Sequence, residues 1–195
     1  MTSAPTRRLA IALAVFVAGL AAIAGGLFAW RQAQDDAYPG VGGPFSLTDQ
    51  NGRTVTDADL KGAPYLLFFG FTHCPDICPS TLYEVSQMFQ ALGRDAPVRA
   101  VFITVDPERD TPQVLKDYLG SFDPRIIGLT GPKEQVAAAL KAFRVYAKKA
   151  PQPDGEYTMD HTAMVYLMDR RGRFAGGFNL KRPPEEAAAE YRKYM

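Results

Sequence analysis

Tyr65-Leu66-Leu67-Phe68-Phe69-Gly70-Phe71-Thr72-His73-Cys74-Pro75-Asp76-Ile77-Cys78-Pro79 is the stretch on which the reading of this chain turns. Its first seven residues are almost continuously apolar and aromatic, which suits a central strand buried on both faces. That strand ends where the cysteines begin. Beyond them a helix is expected from Ser80 or Thr81 to about Leu92, because Leu82, Val85, Met88, Phe89 and Leu92 recur at helical spacing. The cysteines therefore stand at a strand-to-helix junction. Open α/β sheets gather their reactive sites there, outside the carboxyl ends of strands.

Working upstream, Phe45–Thr48 and Thr54–Thr56 flank Gln50-Asn51-Gly52-Arg53, whose Asn-Gly pair is a strong hairpin signal. Downstream, Val98–Val105 reads as a second buried strand. Thr111-Pro112 reads as an N-cap with proline at the first helical position, opening a helix to about Phe122. A short strand near Ile126–Leu129 and an alanine-rich helix over Lys133–Phe143 follow. Lys148–Asp160, with two prolines and a glycine, reads as a long polar loop of the kind that often carries function. Thr162–Met168 and Phe174–Phe178 form a last hairpin around Arg170-Arg171-Gly172, and Pro184–Tyr194 supplies a closing helix. There is no internal repeat. The order is that of an α/β, thioredoxin-like fold: a mixed sheet flanked by helices, with an N-terminal hairpin.

The composition fits one such domain. The chain has 195 residues, 22% of them charged and 47% hydrophobic, which disfavours wholesale disorder and a polytopic membrane protein. A formal charge of +1 gives no basic surplus, so no nucleic-acid partner is expected. Two cysteines exclude a disulfide-stapled miniprotein and any four-cysteine metal site within one chain.

The first thirty residues are different in kind. From Leu9 to Trp30, 22 consecutive residues lack a charge or a strongly polar side chain; as a helix they would be roughly 33 Å long, enough for the hydrocarbon core of a bilayer. Arg7 and Arg8 precede the run and Asp35 and Asp36 follow it, so a single transmembrane anchor with a cytoplasmic N-terminus is expected over residues 1–30. A cleaved signal peptide is the alternative, since Ala22-Ile23-Ala24 resembles a processing site. Either way the domain over 45–195 is exported, with residues 31–44 as its linker. A lipoprotein anchor would need a cysteine near the end of the run, and there is none.

Cys74 and Cys78 are four apart, so one helical turn would bring their sulfurs to one side, and nearby amide dipoles would favour thiolates. A soft-metal site needs a third donor, and His73 and His161 are the only histidines. His73 adjoins Cys74 and should point to the opposite face, as an ordinary hydrogen-bonded histidine. His161 closes the long loop, at a junction that lies beside the cysteine turn in a thioredoxin-like sheet. Two thiolates and an imidazole suit copper: sulfur holds Cu(I) and the nitrogen makes Cu(II) tolerable. Structural zinc would ask for a fourth ligand. The competing reading is an exported thiol-disulfide pair with no metal role. Asp106-Pro107-Glu108-Arg109-Asp110-Thr111-Pro112 faces the same rim, with turn and cap chemistry as its ordinary role and metal contact as the alternative. Tyr157, Met159 and Asp160 flank His161 as candidates for ordering it, and a carboxylate on the second imidazole nitrogen is a common outer-shell device.

At these residues the sequence resembles the SCO/SenC family, copper-binding assembly factors for cytochrome c oxidase. The resemblance is carried by Phe71 to Pro79, by Asp106 to Pro112, and by Asp160-His161-Thr162 before Met164-Val165-Tyr166-Leu167, in family order, and it covers about residues 40–190. It implies that Cys74, Cys78 and His161 bind one copper ion, Cu(I) or Cu(II). It further implies delivery to the copper A centre of cytochrome c oxidase subunit II, or reduction of that subunit's cysteines before metallation. An upstream periplasmic copper carrier would then be the donor, and the domain would stand in the periplasm, anchored to a bacterial inner membrane. The chain on this reading is a metallochaperone rather than an enzyme. Transfer would proceed by ligand exchange, and protonation of His161 would weaken Cu(II) binding as pH falls. A thiol-disulfide oxidoreductase acting through Cys74 and Cys78 is the alternative, and peroxide chemistry on the same fold a third option.

Overall fold

The computed structural model describes residues 4–34, 40–153 and 155–195. The chain divides into two compact units, residues 1–39 and 40–195. In the first, helix α1 covers Ala4–Gln34. It takes in the start of the stretch read as a linker, since Arg31, Gln32, Ala33 and Gln34 are all good helix formers. The rest of that stretch, 35–39, lies outside the described residues. Side chains are described in α1 only between Ile11 and Leu27, and large apolar ones such as Leu13, Phe16 and Ile23 are exposed. Across the described residues no helix is long and apolar enough to cross a membrane.

The second unit is built around β3 (Tyr65–Gly70), every residue of which is buried. It pairs in parallel with β4 (Ala100–Thr104), which pairs in parallel with β5 (Ile126–Thr130). On its other side β3 meets β8 (Val165–Met168) antiparallel, and β8 carries β9 (Phe174–Gly177) as the edge. The opening hairpin, β1 (Ser46–Asp49) with β2 (Thr54–Thr56), adds antiparallel to β5 and completes a sheet of order β2-β1-β5-β4-β3-β8-β9. The mixed sheet and its opening hairpin agree with the thioredoxin-like expectation.

Strand alternation explains why both faces need cover. Leu66, Phe68, Ala100 and Phe102 point to one face, under α2 (Ile77–Leu92), α3 (Pro112–Leu119) and α5 (Pro184–Arg192), which contribute Leu82, Leu115 and Tyr191. Leu67, Phe69, Val101 and Ile103 point to the other, against Val136 and Ala139 of α4 (Lys133–Ala142).

Two elements differ from expectation. Helix α2 begins at Ile77, earlier than Ser80, so Cys78 lies in its first turn while Cys74 stays in the preceding loop. And Lys148–Asp160 is not an open loop: β6 (Ala147–Pro151) and β7 (Tyr157–His161) pair antiparallel as a separate two-stranded sheet, with Ala147 opposite His161. Two lysines, two alanines and a proline give β6 no pattern of large apolar side chains, so its strand character comes from pairing with β7 rather than from its own composition.

Candidate metal centre

The cysteine turn is fixed from below. At the end of β3, a Cβ on Gly70 would stand 2.6 Å from Cys78 Sγ and equally close to the Phe102 ring; only glycine lets the strand backbone pass so near the sulfur. The loop that follows is pinned by Asp110, fully buried, whose carboxylate accepts from Thr72 N–H at 3.1 Å, Thr72 Oγ1 at 2.6 Å and Thr104 Oγ1 at 2.6 Å. Cys74 N–H donates to the Phe71 carbonyl at 3.2 Å. Cys74 is half-buried, Cys78 is 2% exposed, and both are free thiols.

Burial pushes the Cys78 thiol up to about 12, helped by the neighbouring Cys74 and Asp110 and only partly offset by a backbone hydrogen bond with Phe71. At this sulfur the expected thiolate-favouring dipole loses to desolvation. A metal ion taking Cys78 must therefore displace a proton. Tyr118 approaches the same pair: burial and the nearness of both sulfurs push its hydroxyl up, and that hydroxyl is buried without a partner among the described residues.

His161 ends β7. Its Nδ1 lies 3.3 Å from the Met159 carbonyl. A carbonyl only accepts, so Nδ1 carries the proton and Nε2 keeps its lone pair. That Nε2 is buried and has no hydrogen-bond partner among the described residues. The second nitrogen is thus held by a backbone carbonyl and not by a carboxylate, and Asp160 is exposed. The imidazole packs edge-on against Phe71, ring centroids 5.6 Å apart, and Phe71 immediately precedes the cysteine turn. His73, by contrast, is exposed, with Nδ1 3.1 Å from Thr72 Oγ1. Among the described residues no three His, Cys, Asp or Glu side chains stand close enough together to hold a metal ion. The two cysteines share one turn and His161 meets Phe71, without closing into one cage.

Asp106 has its carboxylate engaged by Arg109 Nε and, at 3.0 Å, by the Tyr157 hydroxyl. Its role is to join the rim to β7. Arg109 and Asp110, inside the quoted rim segment, are the residues whose individual parts went unread. The sequence signal was there in Asp106-Pro107-Glu108-Arg109-Asp110, but not which partner each side chain would find.

A bare, buried imidazole nitrogen and two soft sulfurs on one rim of a thioredoxin-like domain define a class: a domain whose paired cysteines have a histidine at hand. The donor set fits copper in either oxidation state. Comparison with known proteins carries this to a family. The profile of the SCO1/SenC family matches residues 33–195, and the chain belongs to that family. It is 41% identical over 157 residues to the mitochondrial SCO2 homolog of Bos taurus, covering 78% of this chain and 59% of that protein; this chain spans less than two thirds of that relative's length. Among solved structures, Bradyrhizobium japonicum ScoI with copper bound is 60% identical, with a TM-score of 0.77 over 80% of this chain and 99% of that one. Arabidopsis thaliana ScoI, also with copper bound, is 37% identical, with a TM-score of 0.73 over 79% and 97% of the two chains.

Proposed function

We propose that this chain is a membrane-tethered copper chaperone that binds one copper ion through Cys74, Cys78 and His161 and hands it to the copper A site of cytochrome c oxidase subunit II. The observation that carries the reading is the His161 imidazole, with Nδ1 occupied by a backbone carbonyl and Nε2 buried and bare beside the turn that holds both sulfurs. A histidine with only a packing role would have its second nitrogen hydrogen-bonded or in water. The copper-bound relatives support the choice of metal. Since the three donors do not form a closed cage, loading requires the β6–β7 hairpin and the cysteine turn to draw together. Release would reverse that movement, with cysteines of the acceptor replacing Cys74 and Cys78 in turn.

The anchor rests on the apolar run Leu9–Trp30 with its preceding arginines and following aspartates. On this reading residues 1–30 hold the protein in a bacterial inner membrane, and the copper domain works in the periplasm, supplied by an upstream copper carrier. A second reading is favoured by two free thiols on one turn, Cys74 in the loop and Cys78 in the first turn of α2: the dithiol reduces a disulfide of the acceptor. Two electrons and two protons pass to the acceptor's sulfurs, and Cys74 and Cys78 close into a disulfide.

The test is copper retention by the reduced full chain in detergent against a competing chelator, with Cys74→Ala, Cys78→Ala and His161→Ala alongside. One copper per chain, lost with either cysteine and weakened without His161, is the expected result. Absence of competitive binding in the wild type would shift the assignment to disulfide exchange.

A further inference from the structure

The hairpin that carries His161 is not part of the main sheet, so something else must set where the imidazole stands. The contacts converge on one side chain. Arg109, 18% exposed, donates from Nε to the buried Asp106 carboxylate and from Nη1 to the Tyr157 carbonyl at 3.0 Å. Its guanidinium carbon lies 3.8 Å from the centroid of the Tyr157 ring and 5.9 Å from that of Phe71. Tyr157 opens β7, the strand that His161 ends, and its hydroxyl returns to Asp106 at 3.0 Å. Phe71 meets the His161 ring and gives its carbonyl to Cys74 N–H. Arg109 therefore touches both halves of the centre, reaching the histidine strand through Tyr157 and the cysteine turn through Phe71. Outside this node the hairpin leans Ala147 and Met159 on the edge of the core, which fixes no particular geometry for the imidazole, and pairs exposed Lys149 with Glu108 at 2.6 Å, a contact of little worth in water.

We propose that Arg109 is a positioning residue that holds the His161 hairpin against the cysteine turn and so decides how well the centre retains Cu(II) relative to Cu(I). The inference rests on the copper reading above. Two thiolates satisfy Cu(I), whereas Cu(II) depends on the imidazole nitrogen; loosening the histidine strand alone must therefore weaken one oxidation state and spare the other. Lysine cannot replace Arg109, because a compact ammonium cannot donate to Asp106 and the Tyr157 carbonyl while lying flat on two rings.

The experiment uses the full chain in detergent, wild type against Arg109→Lys and Tyr157→Phe. Three quantities are read: Cu(II) affinity from the thiolate charge-transfer absorption and electron paramagnetic resonance, Cu(I) affinity by chelator competition, and amide hydrogen exchange without copper. Arg109→Lys should lower Cu(II) affinity about 10- to 100-fold, the range for loss of an outer-shell partner, and leave Cu(I) affinity unchanged. Exchange should quicken over residues 157–161 and not over 65–70. Tyr157→Phe, which keeps the ring and loses the bond to Asp106, should show a smaller change of the same kind. Equal loss of both oxidation states, no loss of either, or unaltered exchange in the hairpin overturns the proposal. If the wild type binds no copper, the chaperone reading falls, and the clamp is judged by exchange alone: faster in the hairpin supports it, unchanged refutes it.

Discussion

The two halves of the centre are held in opposite ways. The cysteine turn grows out of β3, a fully buried central strand of the sheet, and is fastened by a buried carboxylate and by the close pass of Gly70 over Cys78. The histidine stands on a two-stranded hairpin outside that sheet, with a half-exposed β7 and a mostly exposed β6, attached through Arg109, Asp106 and Tyr157. One half is set by the core, and the other by Ala147 and Met159 at the core's edge with a few polar contacts at the rim. A site built this way keeps its sulfurs in place while its nitrogen donor has room to come and go, which suits an ion that must be released as well as bound. Elements few in buried contacts are also those that open most readily.

The sharpest break in that comparison is thiol reactivity. Cys78, pushed by burial from 9.0 up to about 12, should be alkylated at pH 8 roughly a thousandfold more slowly than a thiol at its ordinary value, since only the thiolate attacks. Cys74, half-buried at the turn, should be labelled first. Mass spectrometry after timed iodoacetamide treatment of the metal-free chain checks this; equal labelling of both sulfurs would mean that the turn is as open as the hairpin.

Next in size is the loss of Asp110. Asp110→Ala leaves one buried amide and two hydroxyls without their acceptor and should cost about 2–3 kcal/mol in denaturant unfolding. Asp110→Asn keeps an acceptor and should cost less. The pair also gives a pH test. Burial, aided by the neighbouring Asp106, raises the Asp110 carboxyl above 3.8 despite the hydrogen bonds from Thr104 and Thr72. With the folded value above the unfolded one, its stabilising contribution is full below about pH 3.8 and is lost as pH rises through the folded value. The stability of wild type minus that of Asp110→Asn should therefore grow as pH falls from 7 toward 4. Taking the difference matters, because Asp49 and Asp123 run the other way. In both, burial alone would raise the carboxyl, but the combined hydrogen bonds, from Arg53 and Asn51 and from Arg125 respectively, hold it below 3.8.

The cysteine half was also the more legible in the sequence. Seven apolar residues that stop at Phe71, just before the cysteine turn, announce a buried strand and the rim where it ends, and Thr111-Pro112 announces a helix start, because burial and capping are local signals. Thr111 does accept from Val114 N–H. The hairpin was not legible. Lys148, Lys149 and Pro151 read as loop residues, and β6 is a strand because β7 lies beside it, which no window of sequence contains. Arg109 stood in a quoted segment, yet its partners are 38 and 48 positions away at Phe71 and Tyr157. The early start of α2 escaped for a different reason: Pro75, Asp76 and Pro79 look like a turn, whereas Ile77 opens the helix and Cys78 is buried in its first turn.

The smallest effect belongs to the hairpin's outer fastening. Lys149 reaches Glu108 at 2.6 Å and lies 4.2 Å from the Tyr157 ring. Glu108 is pulled below the ordinary carboxylate value by its hydrogen bonds with Lys149 and Lys133. Both side chains of the pair are exposed, so water and salt screen it. Lys149→Ala should weaken Cu(II) retention in the same sense as Arg109→Lys but far less, and the difference should vanish at high ionic strength. An effect that persisted in salt, or that matched Arg109→Lys, would place the attachment of the histidine strand at the surface. The buried guanidinium would then be a bystander, and the two halves of the centre would differ in kind and not only in degree.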